Sequence, residues 1–387
     1  MKTIRYINEV EIENKRVLLR VDFNVSLNPD FTIADDARIK QSLATINYLL
    51  KKNNRLIIVS HLGRPKKIDE KFSLIVVLKR LKQYLPRYPV AFAKTLAETK
   101  TKKEPVVVLE NIRFFPQEKN YSTLFAQQLA SLADVYVNDA FGVCHRSDTS
   151  IVGPPKFMPA YGGLLLKKEV EIITRVIKNP KKPFVAIIGG AKISTKIYLL
   201  DKLSRLVDYL IIGGGLANTF LSAQGLEIGQ SFCEYESVQA AKKFLAKQRR
   251  HRPYILLPKD AVVAGSKNDK KTEIKKIEAI EKNQAIFDVG PKTLAEIGSV
   301  IAKAKTIIWN GPVGYFENPA FRRGTDFVYY SITKNRQAIS IVGGGDTLAA
   351  LSKKEHLEKI THISTGGGAM LELIEKGTLP GIEALKR

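Results

Sequence analysis

The chain has 387 residues, too many for one compact core, since single cores stop growing at roughly 250–300 residues. At 44% hydrophobic and 26% charged it is not a disordered chain, and no apolar run approaches the ~18 residues needed to cross a bilayer. A formal net charge of +24 points to anionic partners, while two cysteines, Cys144 and Cys233, exclude a disulfide framework.

The opening residues, MKTIRYINEVEIENKR, lack the apolar core of a signal peptide, so a cytoplasmic location is expected. Short apolar runs then recur as RVLLRV (16–21), RLIIVS (55–60), VVVL (106–109) and DVYV (134–137). Runs of this kind suit a parallel sheet buried on both faces. Between the first two, Ile39, Leu43, Ile46 and Leu50 share one helical face, which makes the unit βαβ. The series pauses at Pro154-Pro155, passes through a helix-like segment at 162–178, and resumes after Asn179-Pro180 with FVAII (184–188), YLII (209–212), YILL (254–257), TIIW (306–309) and AISIV (338–342). The expectation is α/β: two doubly wound parallel-sheet, Rossmann-like domains joined by a helix and hinged around a central cleft. The lysine-rich stretch 267–276 alternates with acids and reads as a solvated helix face, with no interleaved aromatics for nucleic acid. Cys144 beside His145 suggests a thiol nucleophile, but such pairs are normally assembled by the fold, and a packed thiol is expected.

Five glycine turns follow strand-like runs in the second half: GGAKIS (189–194), GGGLANTF (213–220), NGPVGYFE (310–317), GGGDT (343–347) and STGGGAM (364–370). Glycine lets backbone approach a phosphate, and a helix start offers unpaired N–H groups to it. Neither GxxxxGK[ST] nor GxGxxG occurs, which argues against P-loop and dinucleotide-binding proteins. Asp346 and Thr347 read either as a helix cap or as a site where Asp346 holds Mg²⁺ and Thr347 holds phosphate. Lys192 and Lys196, four apart, are expected to lie one above the other on a helix. In the first half Asp22, Asn24, His61, Arg64, Arg113, His145 and Arg146 directly follow strand-like runs, with Arg38 on the first helix. Arginines gathered at one sheet edge suit an anion bearing carboxylate or phosphate groups.

Taken in order, RVDFNV, SHLGRP, ENIRFF, NDAFGVCHR, GGAKIS, GGGLANTF, DVGPKT, WNGPVGYFE, VGGGDT and HISTGGGA resemble the phosphoglycerate kinase family. The resemblance implies a phosphoglycerate-binding domain at 1–161, an interdomain helix at 162–180, a nucleotide-binding domain at 181–368, and a tail, 369–387, packing back on the first domain. It implies reversible phosphoryl transfer from 1,3-bisphosphoglycerate to Mg·ADP, giving 3-phosphoglycerate and Mg·ATP. Asp22, Asn24, Arg38, His61, Arg64, Arg113 and Arg146 would hold the phosphoglycerate. Lys192, Lys196, Gly213, Gly214, Glu317, Gly344, Gly345, Asp346 and Thr347 would hold the nucleotide, with Glu317 on the ribose and Asp346 on Mg²⁺. Arg38, Lys192 and the Gly345 and Gly368 turns would meet the migrating phosphoryl group. A monomer without membrane or specific nucleic-acid partners is expected. Two departures stand out: Ser147-Asp148 where the family commonly has Ala-His, and Thr195 where it often has Asp. The rival readings are another two-domain α/β kinase acting on a different carboxylate or acyl phosphate, and a basic nucleic-acid-binding protein on the same fold.

Overall fold

The computed structural model describes residues 3–248, 253–351 and 355–386. The chain forms two compact units, Met1–Glu171 with Lys376–Arg387, and Ile172–Glu375.

The first unit is built on a parallel sheet with spatial order Val90–Ala93, Val106–Leu109, Arg55–Val59, Arg16–Arg20, Val135–Asn138, Ala160–Gly162. Val17, Leu19, Leu56, Ile58, Val106 and Val108 are all fully buried, as strands covered on both faces must be. The chain grows from Arg16–Arg20 toward one edge and then reverses to add the last two strands on the other side. This is the doubly wound pattern, whose reversal point opens a crevice at the carboxyl ends of the strands. The helix Ala37–Lys51 buries Ile39, Ile46, Leu49 and Leu50 against this sheet.

In the second unit the parallel order is Tyr254–Leu256, Tyr209–Ile212, Phe184–Ile188, Thr306–Asn310, Ile339–Gly343, His362–Ser364. Its reversal lies between Phe184–Ile188 and Thr306–Asn310. An antiparallel sheet, Glu273–Lys276, Asp260–Ala264 and Ala285–Val289, is inserted before the reversal. That insertion corrects the helical reading of 267–276: Glu273–Lys276 is a strand in register with Val263 to Asp260, and 265–272 is its loop. Charge alternation there follows the two faces of an exposed strand, a period the sequence reading took for helical.

The helix Leu164–Lys178 starts where Asp139 Oδ1 accepts from the amides of Leu165 and Leu166, at 2.9 and 3.1 Å. A Cβ on Gly163 would lie 2.1 Å from that oxygen, so only glycine admits the cap. The C-terminal segment returns to the first unit, where the Gly381 amide donates to Cys144 O at 2.9 Å and Ile382 and Leu385 are buried. Cys144 is itself buried, and burial pushes its thiol up to about 12, which leaves it a packed side chain and no nucleophile. No helix among the described residues is long and apolar enough to cross a membrane.

Candidate active site

The carboxyl edge of the first sheet gathers the polar residues picked out by sequence. Asp22 is buried, with Oδ2 2.5 Å from Arg38 Nη1 and Oδ1 3.8 Å from His61 Nδ1. Burial pushes its carboxyl up, but the Arg38 and Arg20 guanidinium groups act against that, and it is held below the usual range. His61 is 2% exposed, and burial takes it well below its ordinary value, so it faces the site as a neutral imidazole. Asn24 Oδ1 accepts from the Gly63 amide at 2.7 Å, which ties two strand ends together.

Two guanidinium groups complete this edge. Arg113 donates through Nη1 to Gly63 O, yet its Nε and Nη2 are buried without a hydrogen-bond partner, as is Arg146 Nε. Burial and the nearby Arg146 charge lower Arg113 to about 10. Buried unsatisfied donors of like charge are unfavourable in isolation, and an anion between them removes both penalties. Arg64 is exposed beside them. Asp148 is buried at the start of Thr149–Val152, and its charge acts to keep Arg113 protonated. The acid in place of the expected cation therefore offsets part of the arginine repulsion.

Sequence reading passed over Arg20, which ends its strand 1% exposed. Its Nε donates to Ser150 Oγ at 2.8 Å, and Ser150 donates through Oγ and N to Glu118 at 2.7 and 2.9 Å. Burial raises Glu118 to about 7. An arginine closing an apolar run looks like a solvated strand end, and only the tertiary partners reveal otherwise.

In the second unit all five glycine turns leave the carboxyl edge of the sheet. At the reversal point, Gly189 and Gly190 donate to Asn310 O and Pro312 O, and a Cβ on Gly189 would lie 2.1 Å from Pro312 O. The amides of Gly213 and Gly214 are spent on Ile188 O and Val313 O, so these glycines shape the wall and do not donate to a ligand. Gly367 packs against Gly344, its would-be Cβ 2.4 Å from the Gly344 Cα, which brings the 343–346 and 366–369 turns together. Gly368 is exposed on the first turn of Gly367–Lys376, and a Cβ on Gly345 would meet nothing.

Three details correct the sequence reading. The cap position of Gly345–Ala350 is Gly344, at φ +113°, so Asp346 sits in the first turn with its carboxylate exposed and does not cap the helix. The Thr347 hydroxyl is fully buried, donating to Gly343 O at 2.9 Å and accepting from the Gly311 amide at 2.7 Å. Only its backbone N–H, one of the unpaired first-turn amides, remains for a ligand. Lys192 and Lys196 precede the helix Ile197–Ser204 and do not ride on it. The turn carrying them is closed by Thr195 Oγ1 donating to Lys192 O at 3.2 Å and is pinned by Ser194 donating to Glu234. Lys192 is exposed, whereas Lys196 is half-buried and burial takes it down to about 8, with Asp346 acting the other way.

Between these turns and the antiparallel sheet lies a cavity of about 400 Å³, within the range of small-molecule sites. Gly190, Gly214, Glu317 and Asp346 line it together with Phe232, Ile286 and Phe287. Phe232, half exposed there, was not picked out by sequence, since nothing in its neighbourhood marks a lone aromatic as a wall.

A model of the family described as phosphoglycerate kinase matches residues 7–377. Phosphoglycerate kinase of Dictyoglomus turgidum is 45% identical, covering 100% of this chain and 99% of that protein. The chain belongs to the phosphoglycerate kinase family. Phosphoglycerate kinase of Pelotomaculum thermopropionicum is 42% identical over 99% of this chain and 98% of its own length. Among solved structures, phosphoglycerate kinase from Coxiella burnetii gives a TM-score of 0.88 at 41% identity, and that from Pyrococcus horikoshii 0.86 at 30%, each covering 99% of this chain and 98% of the other.

The family's reaction is phosphoryl transfer between 1,3-bisphosphoglycerate and ADP, a step of glycolysis, and the chain is a kinase and transferase of that reaction. The substrates are small molecules. Mg²⁺ in such chemistry is held by one or two carboxylates and by substrate phosphates. The residues fit that use: Asp346 is an exposed carboxylate at the cavity, and no cluster of three or more His, Cys, Asp or Glu suited to a metal exists among the described residues.

Proposed function

We propose that the first unit holds the phosphoglycerate through Arg38, Arg64, Arg113 and Arg146, with Asp22, Asn24 and His61 fixing their geometry. The reading rests on one observation above the others, the buried guanidinium nitrogens of Arg113 and Arg146 that lack partners. The second unit holds the nucleotide in its cavity: Glu317 on the ribose, Lys192, Lys196 and the amides of Gly345, Asp346 and Thr347 on the phosphates, with Gly213, Gly214 and Gly344 shaping the wall. Asp346 would hold Mg²⁺ together with the nucleotide phosphates, where the ion when bound would supply positive charge for phosphoryl transfer.

The acceptor is a carboxylate oxygen in one direction and a β-phosphate oxygen in the other, both ionised near neutrality, so no general base is needed. Rate enhancement then comes from in-line positioning and preorganised positive groups. Arg38, Lys192 and the N–H groups of the Gly345 and Gly368 turns fill that role. The chain acts as a cytoplasmic monomer.

A coupled assay of 3-phosphoglycerate-dependent ADP formation tests these assignments. Arg146→Ala is expected to raise KM for 3-phosphoglycerate and leave KM for nucleotide near its parent value. Asp346→Asn is expected to lose metal-dependent turnover by about 10²-fold with little change in Tm, since Asp346 makes no cap bond. An Asp346→Asn enzyme that turns over normally removes this residue from the metal site.

A further inference from the structure

The turn that carries Lys192 is held by an acid to which no role has been assigned. Lys192 is exposed, so the place of its ammonium depends on the backbone beneath it. That backbone is fixed at several points. Ile193 is fully buried, the Lys196 amide donates to Ile193 O at 2.8 Å, and Thr195 Oγ1 donates to Lys192 O. Ser194 is exposed, yet it donates through its amide and its hydroxyl to the two carboxylate oxygens of Glu234, at 2.8 and 2.5 Å.

Glu234 lies 40 residues further along the chain and is itself anchored. Its amide donates to Thr219 Oγ1 at 3.1 Å, and Asn218 Nδ2 donates to Phe232 O at 3.2 Å. The helix Gly215–Ala223 thus holds the segment 232–234, and that segment holds the lysine turn. Burial pushes the Glu234 carboxyl up, but the hydrogen bonds to it, those from Ser194 foremost, hold it below the ordinary range. It is therefore an ionised acceptor at neutral pH, and both bonds from Ser194 are charge-assisted. No ion pair ties Glu234 to Lys192 or Lys196 among the described residues, so the acid fixes the turn without drawing either ammonium to itself.

We propose that Glu234 is a positioning residue for phosphoryl transfer: by holding Ser194 from both donors it sets the place from which Lys192 meets the migrating group. This rests on the reading of Lys192 as a phosphoryl-stabilising cation. A cation contributes most when its place is set before the reaction, and a displacement of about 1 Å can cost ~10² in rate. Lys196 is held independently, by its own bonds to Gly189 O and Asn310 Oδ1, so nucleotide binding through it does not depend on Glu234.

The test is the full-length enzyme phosphorylating 3-phosphoglycerate with ATP, as parent, Glu234→Ala, Lys192→Ala and the double variant. The bonds of Glu234 N and Phe232 O are made by backbone and persist in Glu234→Ala, so its effect isolates the carboxylate. Its kcat is expected to fall about tenfold, with KM for ATP and for 3-phosphoglycerate little changed, and Glu234→Gln, which keeps one acceptor oxygen, is expected to recover part of the loss. In the Lys192→Ala background, Glu234→Ala is expected to cost nothing further in kcat, because a residue acting through Lys192 has nothing left to position. A Glu234→Ala enzyme that only melts lower, with its kcat intact well below Tm, overturns the proposal. So does a loss of kcat that is equally large with and without Lys192. Lys192→Ala alone separates the two levels: if it turns over normally, the reading of Lys192 fails and the proposal with it, whereas a crippled Lys192→Ala beside a normal Glu234→Ala overturns the proposal alone.

Discussion

Lys196 is where folding and chemistry pull in opposite directions. Burial lowers its ammonium from 10.5 to about 8, while Nζ donates to Gly189 O and Asn310 Oδ1. Between those values the unfolded chain binds the proton and the folded chain does not, so this residue's contribution to stability rises with pH across that window and is least favourable below about pH 8. Phosphate binding needs the protonated form, so KM for nucleotide should climb as pH passes 8. Lys196→Met is expected to raise stability at pH 7 by on the order of 1–2 kcal/mol, after allowing for two lost hydrogen bonds, and to raise nucleotide KM at least tenfold. Denaturant unfolding and steady-state rates at pH 7 and 9 check both signs. A variant that is less stable at pH 7 would mean that the bonds to Gly189 and Asn310 outweigh the burial penalty. The residue's place after a strand was legible in GGAKISTK (189–196). Its burial was not, because it depends on Asn310 and Asp346, more than a hundred residues away.

Among the elements, the helix Leu164–Lys178 is held at its start by the Thr45 hydroxyl, which accepts from the Leu164 amide at 2.9 Å, and by a buried carboxylate. Asp139 accepts from the first-turn amides of Leu165 and Leu166, and burial raises its carboxyl to about 7 against those bonds. Here the folded state binds more protons than the unfolded state between 3.8 and 7, so stability falls as pH rises through that range. Asp139→Asn keeps an acceptor oxygen and cannot ionise; it is expected to flatten the slope and to be at least as stable as the parent at pH 8. Asp139→Ala loses both bonds and the titrating group; it should be destabilised by about 1–2 kcal/mol at pH 5 and by markedly less at pH 8, where the parent has itself lost stability. Equal pH slopes in the parent and Asp139→Asn would show that folding leaves the Asp139 carboxyl unshifted. The sequence revealed the proline-flanked helix but not its cap, since Asp139 lies 26 residues from the amides it holds. The same limit explains the missed strands. Val90–Ala93, Ala160–Gly162 and His362–Ser364 read VAFA, AYG and HIS, with too few large aliphatic residues to stand out as apolar runs, and only their neighbours in the sheet make them strands. Long, fully buried runs such as Phe184–Ile188 needed no such context.

For the whole molecule, the doubly wound pattern followed from the order of apolar runs, and the anion sites from glycines and arginines placed after them. The net charge of +24 was equally plain, and it acts on folding and on encounter with opposite consequences. Excess like charge repels itself in the compact state, while the same field draws in substrates that are all polyanions. The screening length contracts from about 30 Å at 0.01 M salt to about 10 Å at 0.1 M. Adding NaCl over that range is therefore expected to raise Tm while lowering kcat/KM for 3-phosphoglycerate, with kcat at saturation little changed. Chloride is the right probe, because sulfate would stabilise by exclusion from the surface and would also compete for the Arg113 and Arg146 nitrogens. If Tm falls along with kcat/KM, the lysines and arginines are arranged so that surface ion pairs such as Arg16–Asp134 and Lys259–Glu296 contribute more than the excess charge repels. If kcat/KM is indifferent to salt, the arginine edge recognises its substrate only at contact, and the basicity of the chain has no part in bringing it there.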